Sequence, residues 1–365
     1  MSIFIFVIVL AILILVHEFG HFLAAKKSGV RVDEFGIGFP PRLFKLFNWR
    51  GTDFTFNMIP FGGFVKIFGE NPTEEELPAD EKNVHFSHKP KITQAFILSA
   101  GVLFNILFAW ILISFGFVYG LPTPEEADSP RPVENAELVI TSVLPDSPAE
   151  KAGIKTGDVI ISTRSQNDTL EEINPESVSS FISAGTEDEA IFLDIKRGEE
   201  TLEFQVLAED GVIEDKKAIG VSMGMIGTLK LPIHLAFWEG TKTTVTLLGA
   251  ITVGLFTFFT EAVLGKADFS QIAGPVGIVG LVGDASQLGF IFLLQFTAFI
   301  SLNLAIINLI PFPALDGGRL LFLLIEAVKG SRINPKVANT LNALGFLLLI
   351  ILMLVVTIND IQKLF

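Results

Sequence analysis

Residues 3 to 16 read IFIFVIVLAILILV, and the helix they imply runs directly into HEFGH at His17 to His21. That junction constrains the fold more than any other stretch of the chain. An ionisable side chain at mid-bilayer costs roughly 3 kcal/mol on insertion scales. Here His17, Glu18 and His21 fall within five residues at one end of an apolar helix. The fold must therefore bring compensating polar groups to the same depth.

Half of the 365 residues are hydrophobic, 35 of them Phe, and the mean hydropathy is +0.56. That lies well above the range of a soluble domain. Four segments are long and apolar enough to span a bilayer at 1.5 Å per residue: residues 1–25, 95–119, 289–318 and 341–358. The third is apolar to Ile310 and then runs into a Pro-interrupted stretch. Residues 232–288 mix apolar positions with a Thr run and two Glu, which predicts an amphipathic helical region on or partly in the membrane. The fold class is thus an α-helical polytopic membrane protein with about four transmembrane helices.

Orientation follows from charge. A signal peptide carries its positive residues before the apolar run, whereas Lys26 and Lys27 come after it. The N-terminus is expected outside, residues 26–94 in the cytoplasm, 120–288 outside and 311–340 inside. Arg319, Lys329, Arg332 and Lys336 in the second inner loop agree with the positive-inside rule. Net charge is −14, and residues 121–230 hold 23 acidic and 9 basic side chains against 17 of each elsewhere. An acidic outer domain argues against nucleic acid as a partner and suits a solvated domain beside an anionic membrane. Without cysteine there are no disulfides, thiolate ligands or thiol nucleophiles.

Within that acidic stretch the pattern changes. LVITSVL alternates, PDSPAEKAGIKTGD supplies turn residues and a short helix, and VIIS follows as a strand; Glu176–Ala184 suits a helix. IFLDIK and TLEFQVL flank Arg197–Glu200 as a hairpin. Residues 121–228 resemble a PDZ domain, an inserted extracytoplasmic α+β module, and SPAEKAGIKTGDVI carries the resemblance; a generic small β-domain is the alternative. In the cytoplasmic loop, TDFTFNMIPFGGFVKIF is too short and broken to span. Strands at membrane depth must pair, so residues 54–68 are expected to form a re-entrant β-hairpin turning near Pro60–Gly63, with an ordinary cytosolic hairpin as the alternative.

His17 and His21, four residues apart, project from one helix face and can converge on one Zn²⁺. Glu18 lies about 100° around the helix, within reach of an attacking water without being a ligand. Neutral imidazoles on a metal also remove the burial problem. A hydrolytic zinc site wants three protein ligands and an open position. The helix places His17 about 21 Å from Ile3 and about 12 Å from Ala25, on the cytoplasmic side of the midplane. The third span ends on that side with INLIPFPALDGGRLL, whose prolines break the helix just before Asp316. Asp316 is the expected third ligand. His85, His88 and His234 have no partner at ligand spacing and are expected in solvated loops or interfaces.

His17-Glu18-Phe-Gly-His21 together with Asn308-Leu-Ile-Pro311-Phe-Pro313-Ala-Leu315-Asp316-Gly317 resembles the site-2 protease family of intramembrane zinc metalloproteases, most closely the regulator-of-sigma-E protease type. PFGGFVK, the PDZ-like stretch and QIAGPVGIV extend the likeness over nearly the whole chain. The resemblance implies one zinc per chain on His17, His21 and Asp316, with Glu18 as general base. It implies that Asn308 and Asn105 help hold substrate, and that Ile59, Gly62, Gly63 and Phe64 belong to an edge strand that pairs with an unwound transmembrane substrate. It also implies a bacterial inner-membrane location, with the PDZ domain gating access. Two departures are Val102, where the family usually has Pro, and a single PDZ domain where related proteins often have two. Other functions weighed are a zinc transporter and an inactive PDZ scaffold. A transporter needs ligands at several depths, and here they cluster at one, with no internal repeat.

Overall fold

The computed structural model describes residues 1–70, 81–125, 133–166, 168–184, 190–198, 200–213, 216–266 and 273–362, with backbone alone at 60, 61, 210–213 and 216. Glu199 of the Arg197–Glu200 turn, and Gln271 and Ile272 of QIAGPVGIV, lie outside these residues. The chain opens with helix α1 (Ser2–Lys27), strands β1 (Val32–Trp49) and β2 (Thr52–Ile67), and helix α2 (Lys91–Tyr119). A mixed stretch follows: β3 (Leu121–Pro124), β4 (Glu134–Val143), α3 (Pro148–Ala152), β5 (Val159–Arg164), α4 (Pro175–Ala184), β6 (Ala190–Arg197), β7 (Glu200–Leu207), β8 (Glu209–Ile213), β9 (Lys216–Ala218) and β10 (Val221–Leu229). Five helices complete it: α5 (Ile233–Val263), α6 (Pro275–Leu288), α7 (Phe290–Leu309), α8 (Asp316–Lys329) and α9 (Pro335–Gln362). Two compact units result, one of residues 1–114, 237–286 and 293–365, the other of residues 115–236 with 287–292.

In the first unit the apolar sequences do what their composition dictates. α1, α2, α5, α7 and α9 are each long and apolar enough to cross a membrane. Phe4, Ile8 and Ile12 of α1 and Leu348, Ile351, Leu352 and Val355 of α9 stand exposed, a surface that water would not tolerate and lipid does. Lys26 and Lys27 close α1 in its last turn, where the helix dipole favours cations.

Three sequence expectations are revised here. The region 232–288 is not one amphipathic stretch: α5 is a continuous 31-residue helix that qualifies as a fifth candidate span, and α6 is separate. The Thr residues that suggested polarity fold their hydroxyls back onto the helix: Thr241 donates to Phe237 O, Thr244 to Gly240 O and Thr252 to Leu248 O, at 2.7–2.8 Å. Second, residues 54–68 are not a hairpin by themselves but the second arm of a longer one. Its turn is Arg50–Gly51, whose φ values of 50° and 78° have the sign a type I′ turn requires. Both arms bend, so that Glu34 to Ile37 lie beside Lys66 to Gly63 on one side and beside Asp53 to Phe56 on the other. Pro60–Gly63 is the bend of the second arm. Third, the inner loop expected after residue 310 contains α8, an amphipathic helix whose Leu323 is buried.

The second unit is a six-stranded sheet in the order β3-β10-β4-β5-β6-β7, with α3 and α4 and a small β8-β9 pair. VIIS lies in β5, IFLDIK in β6 and TLEFQVL in β7, and Ser147 caps α3 by accepting from Glu150 N. Alternating residues of the strands (Leu138 and Ile140, then Ile191, Leu193 and Ile195) meet Val178 and Ile182 of α4 in one core. A single buried carboxylate fixes the turn before β5. Asp158 accepts from Arg197 Nε and Nη2, both at 2.7 Å, and from Lys155 N at 2.8 Å. That fork also raises the Arg197 guanidinium above its ordinary range, through the bond to Asp158.

Candidate metal centre

α1 carries His17 and His21 on one face because their spacing is four residues, and the face turns toward α2. Two glycines let it approach. A Cβ on Gly20 would stand 2.5 Å from Ala100 O, and one on Gly101 would stand 2.3 Å from His21 Nε2 and 2.7 Å from His17 Nε2. A side chain at Gly20 would push the helices apart, and one at Gly101 would displace the two imidazoles. α7 ends at Leu309, the chain breaks over Ile310–Leu315, and α8 begins at Asp316. Gly317 and Gly318 make that restart possible: a Cβ on either would collide with the carbonyls of Leu309, Ile310 or Phe312 at 2.2–2.3 Å. The restart turns the Asp316 side chain back toward α1 rather than capping its own helix, whose N-cap is Leu315 without a side-chain bond.

The three side chains meet. His17 Nε2 lies 3.0 Å from Asp316 Oδ2, His21 Nε2 lies 3.2 Å from the same oxygen, and the two Nε2 atoms are 3.2 Å apart. Ligands about 2.0–2.1 Å from a tetrahedral zinc stand about 3.3 Å from one another. Two imidazoles and a carboxylate in that triangle fit zinc and leave its fourth position open. Their side chains are only 10–17% exposed. Among the described residues no other group of three or more His, Asp or Glu side chains converges in this way.

The outer nitrogens are also engaged. His21 Nδ1 donates to Ile97 O at 2.8 Å, which directs Nε2 inward. His17 Nδ1 faces Asn105 Nδ2 at 3.3 Å, and Asn105 is fully buried, its backbone carbonyl accepting from Ser301 Oγ at 2.8 Å. Asn105 therefore stands buried behind His17. Sequence reasoning missed Gly101, Ile97 and Ser301, since none belongs to a type that signals metal chemistry.

Glu18 is half-buried beside the hairpin: a Cβ on Gly63 would lie 3.5 Å from Glu18 Cγ. Gly62 (φ 111°) packs against Phe39, Phe64 lies against Gly36, and Ile59 is exposed. Asn308 is half-buried in the last turn of α7. On the same face of α8, about one turn after Asp316, Arg319 is ion-paired with Glu70, the third residue beyond β2. Burial pushes the Glu70 carboxyl up, and the Arg319 charge opposes it. Of the two settings expected for His85, the structure has the interface: the residue is buried. Its ring packs on Phe68, and its Nδ1 lies 3.3 Å from His88 Nδ1; burial together with nearby Arg332 holds both imidazoles below their ordinary range.

The sequence profile of peptidase family M50 matches residues 5–352. The zinc metalloprotease RasP of Oceanobacillus iheyensis is 30% identical, with 99% of this chain and 98% of that protein covered. The regulator of sigma-W protease RasP of Bacillus subtilis is 29% identical over 99% and 98% of the two chains. The regulator of sigma E protease of Haemophilus influenzae is 27% identical over 98% of each. Apolar helices that suit a multi-pass membrane protein, a three-ligand triangle that fits zinc and a family match over nearly the entire length agree, and the chain belongs to peptidase family M50, the site-2 protease family of zinc metalloproteases.

Proposed function

We propose that the protein cuts single-span transmembrane proteins inside the bilayer, with His17, His21 and Asp316 holding one zinc and Glu18 acting as general base. The observation that carries this reading is the 3.0–3.2 Å triangle of two imidazole nitrogens and one carboxylate oxygen at the end of an apolar helix. Zinc, when bound, polarises the scissile carbonyl and makes the attacking water more acidic. The chain's own residues do the rest. Glu18 takes the water proton on its carboxylate and delivers it to the leaving amine. The glycine-rich arm at Gly62–Gly63 packs closely beside Glu18, and a strand added along Phe64–Lys66 would present its carbonyls, which a helix hides. Exposed Leu43, Phe44, Leu46, Phe47 and Trp49 on the hairpin favour its dipping into lipid. Convergence of the ligands at one place favours hydrolysis over a zinc-conducting path.

Two relatives are named as regulators of sigma factors. By that likeness the substrates are anti-sigma factors, or signal-peptide remnants, in a bacterial inner membrane, with the N-terminus and the sheet domain outside. We read the sheet domain as a single PDZ domain that filters access, admitting substrates whose outer portion has been trimmed.

The test is direct. Wild type purified in detergent should hold about one zinc per chain, and His17→Ala, His21→Ala and Asp316→Ala should each lose zinc and cleavage of a transmembrane peptide together. An Asp316→Ala variant that keeps wild-type zinc affinity and still cleaves would place the third ligand elsewhere.

A further inference from the structure

We propose that Asn105 is a positioning residue for the metal site: its side-chain carbonyl accepts the Nδ1 proton of His17 and so holds Nε2 on the metal. The inference rests on His17 being a ligand, as argued above. An imidazole that gives Nε2 to a metal keeps its remaining proton on Nδ1. Asn105 Nδ2 lies 3.3 Å from that nitrogen, so in the metal-loaded enzyme two donors would face each other. An amide turned by 180° replaces the clash with an N–H···O bond. Turning breaks no other hydrogen bond, because Asn105 Oδ1 is buried and has no partner among the described residues. Without metal, the orientation seen here is the satisfactory one. Nδ2 then donates to an unprotonated Nδ1, while the His17 proton on Nε2 faces Asp316 Oδ2 at 3.0 Å. The amide thus has one orientation for each protonation pattern of the histidine.

The surroundings hold Asn105 in place for this role. Its residue is fully buried, and Ser301 Oγ on α7 donates to its backbone carbonyl at 2.8 Å. Gly101, one turn earlier on α2, brings that helix within reach of both histidines. His21 already has the equivalent arrangement, with Ile97 O accepting from its Nδ1 at 2.8 Å. Each imidazole is thereby oriented from the same helix, one by a backbone carbonyl and the other by a side-chain carbonyl.

Zinc affinity of the full-length protein in detergent, measured by competition with a chelator, tests this. Asn105→Ala should bind zinc about 10- to 100-fold more weakly, the range typical for loss of an orienting partner. Asn105→Asp, which keeps the acceptor, should recover affinity to within about threefold of wild type. Asn105→Leu replaces the Ala variant if that one fails to fold. An apolar variant within about twofold of wild type overturns the proposal, as does an Asp variant as weak as the apolar one, since packing alone would then explain the loss. A wild type that binds no zinc sinks the metal site itself, a distinguishable failure.

Discussion

In the membrane unit, His17, His21, Asp316 and Asn105 come together from α1, α2 and α8, Glu18 lies beside them against the hairpin, and Glu70 and Arg319 pair with each other. In the sheet domain, charges are scattered over the surface, and among the described residues one buried carboxylate, Asp158, is held by one arginine fork. The difference follows from the solvent. Lipid gives an ion nothing to bind, so each ionisable group in the apolar helices must find a protein partner or a metal. Water accepts any number of charges at little cost, so the 23 acidic side chains of residues 121–230 carry no comparable information about contacts. Polar residues therefore reveal function in the first unit. In the second, strand alternation reveals the fold and says little of function.

The largest effect expected from this contrast is at Glu18. Glu18→Gln keeps the shape of the side chain and all three metal ligands but removes the proton acceptor. Zinc content should stay at the wild-type level while cleavage of a transmembrane peptide falls at least about 100-fold. Residual turnover well above about one per cent would mean that some other group accepts the proton.

A smaller effect is expected where the membrane unit pairs its charges outside the metal triangle. Arg319 sits one turn beyond Asp316, and Glu70 follows the arm that reaches Gly63, so their ion pair ties α8 to the hairpin. Removing Arg319 strands the Glu70 carboxylate, whose side chain is only 14% exposed, and removing Glu70 unties the half-exposed Arg319. Arg319→Ala and Glu70→Ala should each lower cleavage roughly tenfold with zinc retained, and the double variant should be no worse than the weaker single. Additive losses in that cycle would show that the two side chains act separately.

How much of this was legible in the sequence depends on which rule governed each element. HEFGH and Asp316 were readable because burying ions demands convergence, and Pro311 and Pro313 marked where the third span must break. The close approach at Gly20 and Gly101 was not, because a glycine inside an apolar helix signals nothing until its neighbour is known. The neighbour of Asn105 was not legible either, since only the packing of α2 on α1 shows which side chains face His17. The hairpin turn was misplaced for a different reason. Pro60-Phe-Gly-Gly63 is the more conspicuous turn sequence, yet the chain reverses at Arg50–Gly51 and uses the glycines to bend and to admit Glu18. The length and continuity of α5 were hard to read because a Thr looks polar in sequence and is not once its hydroxyl has bonded within the helix.

The smallest effect on chemistry is expected from removing the sheet domain. Deleting residues 125–225 is structurally reasonable, because Pro124 and Ile226 are paired in the β3–β10 ladder and Glu125 N bonds Met225 O at 2.8 Å. The cut ends therefore lie side by side, and a short Gly-Ser linker can join them without pulling on α2 or α5. All the metal-site residues, together with Glu18, Glu70 and Arg319, belong to the other unit. Zinc content and cleavage of a trimmed substrate should then stay within about twofold of the full-length enzyme. If the domain filters substrates by bulk, cleavage of an untrimmed substrate should rise, because nothing is left to exclude a folded outer portion. Capture of a peptide by the domain predicts the reverse, a loss of trimmed-substrate cleavage on deletion. The two substrates assayed side by side on zinc-loaded full-length and truncated enzyme separate these outcomes. A truncated enzyme that is folded and zinc-loaded but no faster on the untrimmed substrate would end the filter reading.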